Sequence, residues 1–271
     1  MVKAIVTGIG GRMGNRILAL AAETEGIEVV GALEQQGHVL VGSDVGSNLG
    51  SGKFCVIVES DLQKCIDKGD VVIDFTHHEA SMKHIEMAAA HGKSIVVGST
   101  GFSADEMDKI RIMAKDVKCV LSPNMSVGVN IMFKVIASVA EILGDEYDVE
   151  IVEAHHRLKK DAPSGTAMKM AQILAESLGR DLDVTGVYTR KGLIGERTQK
   201  EIGIQTVRAG DIVGEHTVLF GGIGERLEFI HRAHNRDNFA RGAIRAAKWI
   251  VAQQNGLYDM QDVLGLKRAG I

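Results

Sequence analysis

Proline is scarce in this 271-residue chain, with only Pro123 and Pro163, and both fall in segments that carry candidate site residues. Cysteine is scarce too. Cys55, Cys65 and Cys119 are widely spaced and form no CxxC pair, which argues against a disulfide framework or a thiolate metal site. They are expected to be buried free thiols in a reducing compartment. No run of about 18 apolar residues occurs, so no membrane-spanning segment is expected. Excess charge is also missing: a formal net charge of -4 is too mild to make nucleic acid or a membrane surface the main partner. The first residues, MVKAIVTG, read as a strand and not as a secretory leader. Apolar residues, by contrast, make up 45% of the chain, enough for a sizeable core in one large or two modest domains.

From the N-terminus the grammar is strand, glycine loop, helix, strand, acid. Lys3 to Thr7 is an apolar run, and Gly8-Ile9-Gly10-Gly11-Arg12-Met13-Gly14 follows it. A helical pattern comes next, then a second strand over Ile27 to Leu33 that ends at Glu34. This is the dinucleotide-binding pattern, in which glycines let backbone N–H groups approach a pyrophosphate at a helix N-terminus. A carboxylate at Glu34 accepts hydrogen bonds from ribose hydroxyls. The spacing departs from GxGxxG, reading GxGxxxG, or GxxGxxG through Gly8, Gly11 and Gly14. Strands are expected at Phe54–Val58, Val71–Phe75, Ser94–Val97 and Val117–Leu121. Helices are expected at Leu62–Lys68, Ala80–His91 and Ala104–Lys115. Regular β–α alternation with continuous apolar strands predicts a Rossmann-like, doubly wound parallel sheet covered on both faces. The loops at Gly8, His77, Gly98 and Ser122 should then share its carboxyl edge, where ligands bind.

After a helix over Val127–Leu143 the pattern changes. A strand over Tyr147–Ala154 and a helix over Thr166–Leu178 are followed by strand-like runs at Val184–Arg190, Ile202–Arg208, His216–Phe220 and Arg226–His234, with no helices between them. The expectation is a second, α+β domain with an open mixed sheet, largely antiparallel. The boundaries are 1–125 for the dinucleotide domain and 126–236 for the second, with the C-terminal helical segment 237–271 returning to the first.

The densest chemistry lies in Ile151 to Ala167, IVEAHHRLKKDAPSGTA. On an extended strand His155 and His156 point to opposite faces, so one can hold a ligand while the other moves a proton. Arg157, Lys159 and Lys160 lead into a turn that opens a helix at Ser164. The Ser164 side chain and the Gly165 and Thr166 N–H groups can cradle a carboxylate. Cations and N–H donors gathered in an acidic protein point to an anionic ligand. Diverging adjacent histidines without a carboxylate or cysteine at ligand spacing argue against a metal. A hydride-donor half beside a cationic half suggests reduction of an unsaturated anionic substrate, with histidine as the proton donor.

These residues resemble the dihydrodipicolinate reductase family over essentially the whole length. The most specific match is Glu153-Ala154-His155-His156-Arg157 with Lys159 and Asp161 to Ala167. Supporting matches lie at Gly8 to Gly14, Asp74-Phe75-Thr76, Gly98 to Phe102, Ser126 to Asn130, Arg208 to His216 and Ile223 to Glu228. The resemblance implies hydride transfer from NADH or NADPH to a cyclic dicarboxylate in lysine and diaminopimelate synthesis. It makes His155 the proton donor and Lys159 a second acid/base group. His156, Ser164, Gly165 and Thr166 would bind substrate carboxylates, and Thr100 would touch substrate as well as cofactor. Gly8, Ile9, Gly10, Gly11, Arg12, Met13 and Glu34 would hold the dinucleotide. Gly98, Ser99, Thr100, Ser122, Pro123, Asn124 and Met125 would line its nicotinamide. A cytoplasmic homotetramer is implied, with no metal, nucleic acid or membrane partner.

Two positions depart from the family pattern. Some members carry arginine directly after the ribose-binding acid, where it meets the 2′-phosphate of NADPH; here Gln35 and Gln36 follow Glu34. Some carry arginine after the Asp-Phe-Thr strand end; here it is His77. Arg12 and Lys53 remain as cations for that phosphate, and the expected preference is for NADH.

Overall fold

The computed structural model describes residues 1–50, 52 and 54–267; Lys53 and the last four residues of the segment 237–271 therefore lie outside the described residues. In chain order the elements are β1 (Val2–Thr7), α1 (Arg12–Glu23), β2 (Ile27–Leu33), α2 (Val45–Leu49), β3 (Val58–Glu59), β4 (Val71–Asp74), α3 (His78–Ala90), β5 (Ser94–Val97), α4 (Ala104–Met113), β6 (Lys118–Leu121), α5 (Val127–Leu143), β7 (Asp148–His155), α6 (Gly165–Ser177), α7 (Leu182–Thr185), β8 (Gly186–Val187), β9 (Ile202–Arg208), β10 (Gly214–Gly221), β11 (Arg226–Ala233), α8 (Asp237–Ile250), β12 (Gly256–Tyr258) and α9 (Met260–Val263). The described residues form two compact units, 1–127 together with 236–267, and Gly128–Asn235.

The first unit is a seven-stranded parallel sheet in the order β12-β6-β5-β4-β1-β2-β3. Strands β4 and β5 are buried at every position, as apolar runs without alternation require when both faces are covered. Alternate side chains then serve different cores. Ala4, Val6, Ile73, Val96 and Val120 pack with Ile17 and Leu18 of α1 and Ala243, Ile244 and Ile250 of α8. Ile5, Val72, Ile95, Val97 and Cys119 pack with Met82 and Ile85 of α3 and Ile110 of α4. Because the strands are parallel, the loops after β1, β4, β5 and β6 leave from one edge, as expected.

Three local expectations change. Phe54–Val58 forms only the short β3, because Phe54 N–H donates to Asp44, the residue that also caps α2. Leu62–Lys68 is two single 3-10 turns, Leu62–Lys64 and Ile66–Lys68. Cys65 and Cys119 are buried, and burial pushes their thiols up to about 11 and about 12, but Cys55 is exposed.

The second unit is a five-stranded sheet in the order β11-β10-β7-β9-β8. It is mixed. β10 is antiparallel to β7 and β11, while β9 is parallel to both β7 and β8. The intervening α6 and α7 carry the chain back before β9, which a parallel neighbour requires. The expected strand Val184–Arg190 shrinks to the two residues of β8, since Asp181 caps a helical turn across Leu182–Thr185. One sheet face is covered by α5 and α6, where Val149, Ile151, Ile204, Val218 and Phe220 meet Phe133, Ile136, Met170 and Leu174. Helix α5 with the 3-10 turn after it is long and apolar enough to cross a membrane by length and composition. Its residues Val129, Met132, Phe133, Ile136 and Ala140 recur at helical spacing and are buried in this core.

Candidate active site

In the first unit the loop after β1 opens a cavity of about 490 Å³, lined by Gly8, Gly10, Gly11, Glu34, His38 and Thr76 among others. The glycines have separate reasons. Gly8 holds φ +64°, a left-handed conformation that favours glycine. A Cβ at Gly14 would sit 2.1 Å from the Gly8 carbonyl oxygen, so only glycine lets α1 approach β1 this closely. Helix α1 begins after Gly11 with no side-chain cap, leaving its N-terminus suited to an anion. Glu34 accepts from Gly10 N–H at 2.7 Å and from Gln35 N–H at 2.8 Å, which stations its carboxylate over the loop. These features fit a dinucleotide: a cradle of glycine backbone, a helix N-terminus and a carboxylate for ribose hydroxyls. A Cβ on Gly10 would fill this cradle, lying 2.7 Å from His38 Cε1 and 2.9 Å from Glu34 Oε2.

The other predicted cofactor residues divide. Arg12 is exposed, whereas Ile9 and Met125 bury their side chains in the core and offer only backbone to a ligand. Met13 packs against the same core. Ile9 N–H already donates to Leu33 O and Gly11 N–H to Gly8 O. Gly98, Ser99 and Thr100 follow β5, and Ser122 to Met125 follow β6, on the shared carboxyl edge. Ser99 accepts from Ser81 at 2.8 Å, and Ser122 donates to Asn124 O at 2.9 Å, so both hydroxyls serve the loops themselves. Thr100 is exposed and Pro123 lies outside the regular elements. The aromatic ring of Phe75 lies where a side chain on Gly98 would stand, which accounts for glycine there. Asp74 is buried and accepts from Thr7, Thr76 and His84 Nδ1. Burial pushes its carboxyl up, but the His84 and Thr76 contacts outweigh this and hold it below its ordinary value.

In the second unit the apolar core stripe of β7 turns polar at its end. Val149 and Ile151 are succeeded on the same face by Glu153 and His155, at 0% and 9% exposure. Register sets their neighbours. Glu153 pairs with Thr206 of β9 and His216 of β10, and His155 pairs with Arg208. Glu153 accepts two hydrogen bonds from Arg208, each at 2.8 Å, one from Ser164 N–H at 2.9 Å and one from Thr206 at 3.2 Å. Its remaining contact is His155 Nδ1, at 2.6 Å. Burial pushes the Glu153 carboxyl up, but Arg208, His155 and Ser164 bring it down to about 2. Burial pushes His155 down; Glu153 opposes this, and Lys159 and Arg208 reinforce it, leaving the ring below its ordinary value. His216 packs edge-on to His155 at 5.2 Å, and burial drives it down to about 3.

The remaining predicted residues surround this cluster. Lys159 lies 3.0 Å from Asp161 and is mostly covered. His156 follows the strand end with a buried Nδ1 that has no hydrogen-bond partner. The Ser164 hydroxyl faces inward: it caps α6 through Ala167 N–H at 3.2 Å and lies 3.1 Å from His216 Nε2. Its N–H is committed to Glu153, so Gly165 and Thr166 form the turn's outer part. A Cβ on exposed Gly165 meets nothing within 4 Å, leaving open space over the helix N-terminus. Sequence reasoning gave no role to Glu153, Arg208, His216 or His38. Period-two spacing from Ile151 carries the signal for Glu153, but the cross-strand partners depend on a register that the sequence does not state. Among the described residues no group of three or more His, Cys, Asp or Glu is arranged to hold a metal ion.

A parallel sheet with a glycine cradle at its carboxyl edge, joined in one chain to an α+β unit holding a buried Glu–His pair, fits an NAD(P)H-dependent oxidoreductase. Family models described as dihydrodipicolinate reductase, N-terminus and C-terminus, match residues 2–125 and 128–264. A 4-hydroxy-tetrahydrodipicolinate reductase from Syntrophus aciditrophicus is 68% identical, with 98% of this chain and all of the relative aligned. One from Geobacter sp. (strain M21) is 56% identical over the same shares. Among solved structures, the dipicolinate-bound dihydrodipicolinate reductase from Paenisporosarcina sp. TG-14 superposes with a TM-score of 0.75 at 26% identity, covering 97% of this chain and 98% of that one. An amine dehydrogenase from Mycobacterium smegmatis, 16% identical with a TM-score of 0.59 and 94% of each chain covered, shares the fold. The chain belongs to the dihydrodipicolinate reductase family.

Proposed function

We propose that the protein reduces 4-hydroxy-tetrahydrodipicolinate, by way of dihydrodipicolinate, to tetrahydrodipicolinate, as a cytoplasmic homotetramer that favours NADH. The observation that carries this reading is His155, a buried histidine at a strand end whose Nδ1 is held by a buried carboxylate. Bound NAD(P)H supplies a hydride to the ring of the cyclic dicarboxylate. His155 then gives its Nε2 proton to the electron-rich position that hydride arrival leaves: the N–H bond breaks as the new bond to hydrogen forms, and imidazolium becomes imidazole. Lys159 assists this protonation or the loss of the 4-hydroxyl. His156, Gly165 and Thr166 bind the carboxylates, with Ser164 shaping the turn from behind. Thr100 and the Gly98–Ser99 and Ser122–Met125 loops serve the nicotinamide end.

The cofactor preference rests on Glu34. A 2′-phosphate brought beside its carboxylate meets like charge, and Gln35 and Gln36 add no cation. The assembly is supported by the uncovered face of the second sheet, where Val152, Val207 and Ile230 are 39%, 43% and 45% exposed. A monomeric mass by native mass spectrometry would overturn the homotetramer.

The activity is tested by mixing pyruvate, aspartate semialdehyde, dihydrodipicolinate synthase and this protein, and following nicotinamide absorbance. Loss of NADH absorbance is expected, with kcat/KM higher for NADH than for NADPH. No oxidation of either dinucleotide refutes the activity, and equal or better use of NADPH refutes the preference.

A further inference from the structure

The environment of Glu153 asks why a carboxylate should be wholly buried at the end of an apolar stripe. Four donor groups hold it: the Arg208 guanidinium by two bonds, Ser164 N–H, Thr206 and His155 Nδ1. The Arg208 guanidinium is itself anchored by the Asp161 carbonyl at 2.7 Å. A carboxylate so fixed accepts a proton-bearing Nδ1 and leaves Nε2 as the ring's working nitrogen. Gly214, at the head of β10, keeps that side open: a Cβ there would stand 3.1 Å from His155 Nε2.

We propose that Glu153 is the positioning residue for His155, fixing its ring orientation and Nδ1–H tautomer, and that Arg208 keeps Glu153 ionised so that the Nδ1 proton stays on the ring. The proposal rests on the reading of His155 as proton donor. Two opposed charges face one ring. Glu153 stabilises the imidazolium; Arg208, on the neighbouring strand, stabilises the carboxylate and repels the imidazolium. The other titratable groups around the ring are His216 on β10, Lys159 and Asp161 in the loop after β7, and His231, paired with His216 on β11.

The opposition gives a test that a merely structural role would fail. The His155 ring is titrated by nuclear magnetic resonance in wild type, Glu153→Gln and Arg208→Gln, alongside the pH profile of kcat/KM. Loss of the carboxylate charge should lower the ring's pKa, and loss of the guanidinium should raise it, each by roughly one unit or more. The alkaline limb of activity should move in the same two directions. In Glu153→Gln the Nδ1–H tautomer should also lose its dominance, with kcat falling at least tenfold while dinucleotide affinity holds. Shifts of the same sign in both variants, or no shift, overturn the proposal. If Glu153→Gln does not fold, the upward shift in Arg208→Gln still decides. Opposite ring shifts without a matching change in activity would leave the positioning role intact and refute His155 as donor.

Discussion

His216 is buried at the centre of the second sheet's polar row, with Nε2 near Ser164 and Nδ1 without a partner. Burial holds its folded-state value at about 3, against an ordinary value of 6.5. Between those values the unfolded chain binds a proton that the folded chain refuses, so stability is full above 6.5 and is lost as pH falls toward 3. Carboxylates held low by partners, such as Glu153 with an ordinary value of 4.5, add their own loss only below that value. From pH 6.5 to 4.5 the slope therefore comes from histidines: His216, with His155 and His231, which burial also lowers. Thermal melts of wild type and His216→Gln across this range should show a shallower fall in Tm for the variant. Equal slopes would remove His216 from the acid response. At this scale the sequence offers candidates by their chemistry, His155, His156 and Lys159. The Glu153 partnership is not legible there, because it joins residues up to 55 positions apart across strand pairings.

At the level of elements, the glycine loop and α1 show how local sequence and tertiary packing combine. Gly14 lies inside the helix, where glycine weakens it, yet a Cβ there would overlap the Gly8 carbonyl at 2.1 Å. Gly14→Ala should thus cost about 1–3 kcal/mol despite alanine's better helix propensity, read from denaturant unfolding, and should weaken dinucleotide binding as α1 is displaced. A neutral or stabilising effect would mean that α1 shifts without penalty. The β–α alternation of the first unit could be read from sequence because parallel strands buried on both faces are continuous apolar runs. Weaker elements escaped that reasoning. Val184–Arg190 looked like a strand, but Asp181 caps a helical turn and Arg190 turns to pair with Glu150 and Glu201. The parallel placement of β9 was hidden for a similar reason: alternation along a strand shows which side faces the core, not the direction of its neighbour.

Taken whole, the chain joins two units with separate chemical tasks. In the proposed reading, one offers a glycine cradle and a carboxylate to a dinucleotide, and the other offers a held histidine, a lysine and a helix N-terminus to an anion. The signal for a boundary near residue 125 is that the alternation of the first unit stops where α5 begins. The expectation that the segment 237–271 returns to the first unit comes from a final helix placed after the last strand. Under the proposed function these tasks sum to hydride transfer completed by a proton from His155. The coupled assay with His155→Gln tests it most directly. In the variant, kcat should be lower by roughly 10²-fold or more, with dinucleotide affinity unchanged. A kcat close to that of wild type would contradict it and move the proton donor elsewhere, with Lys159 first in line.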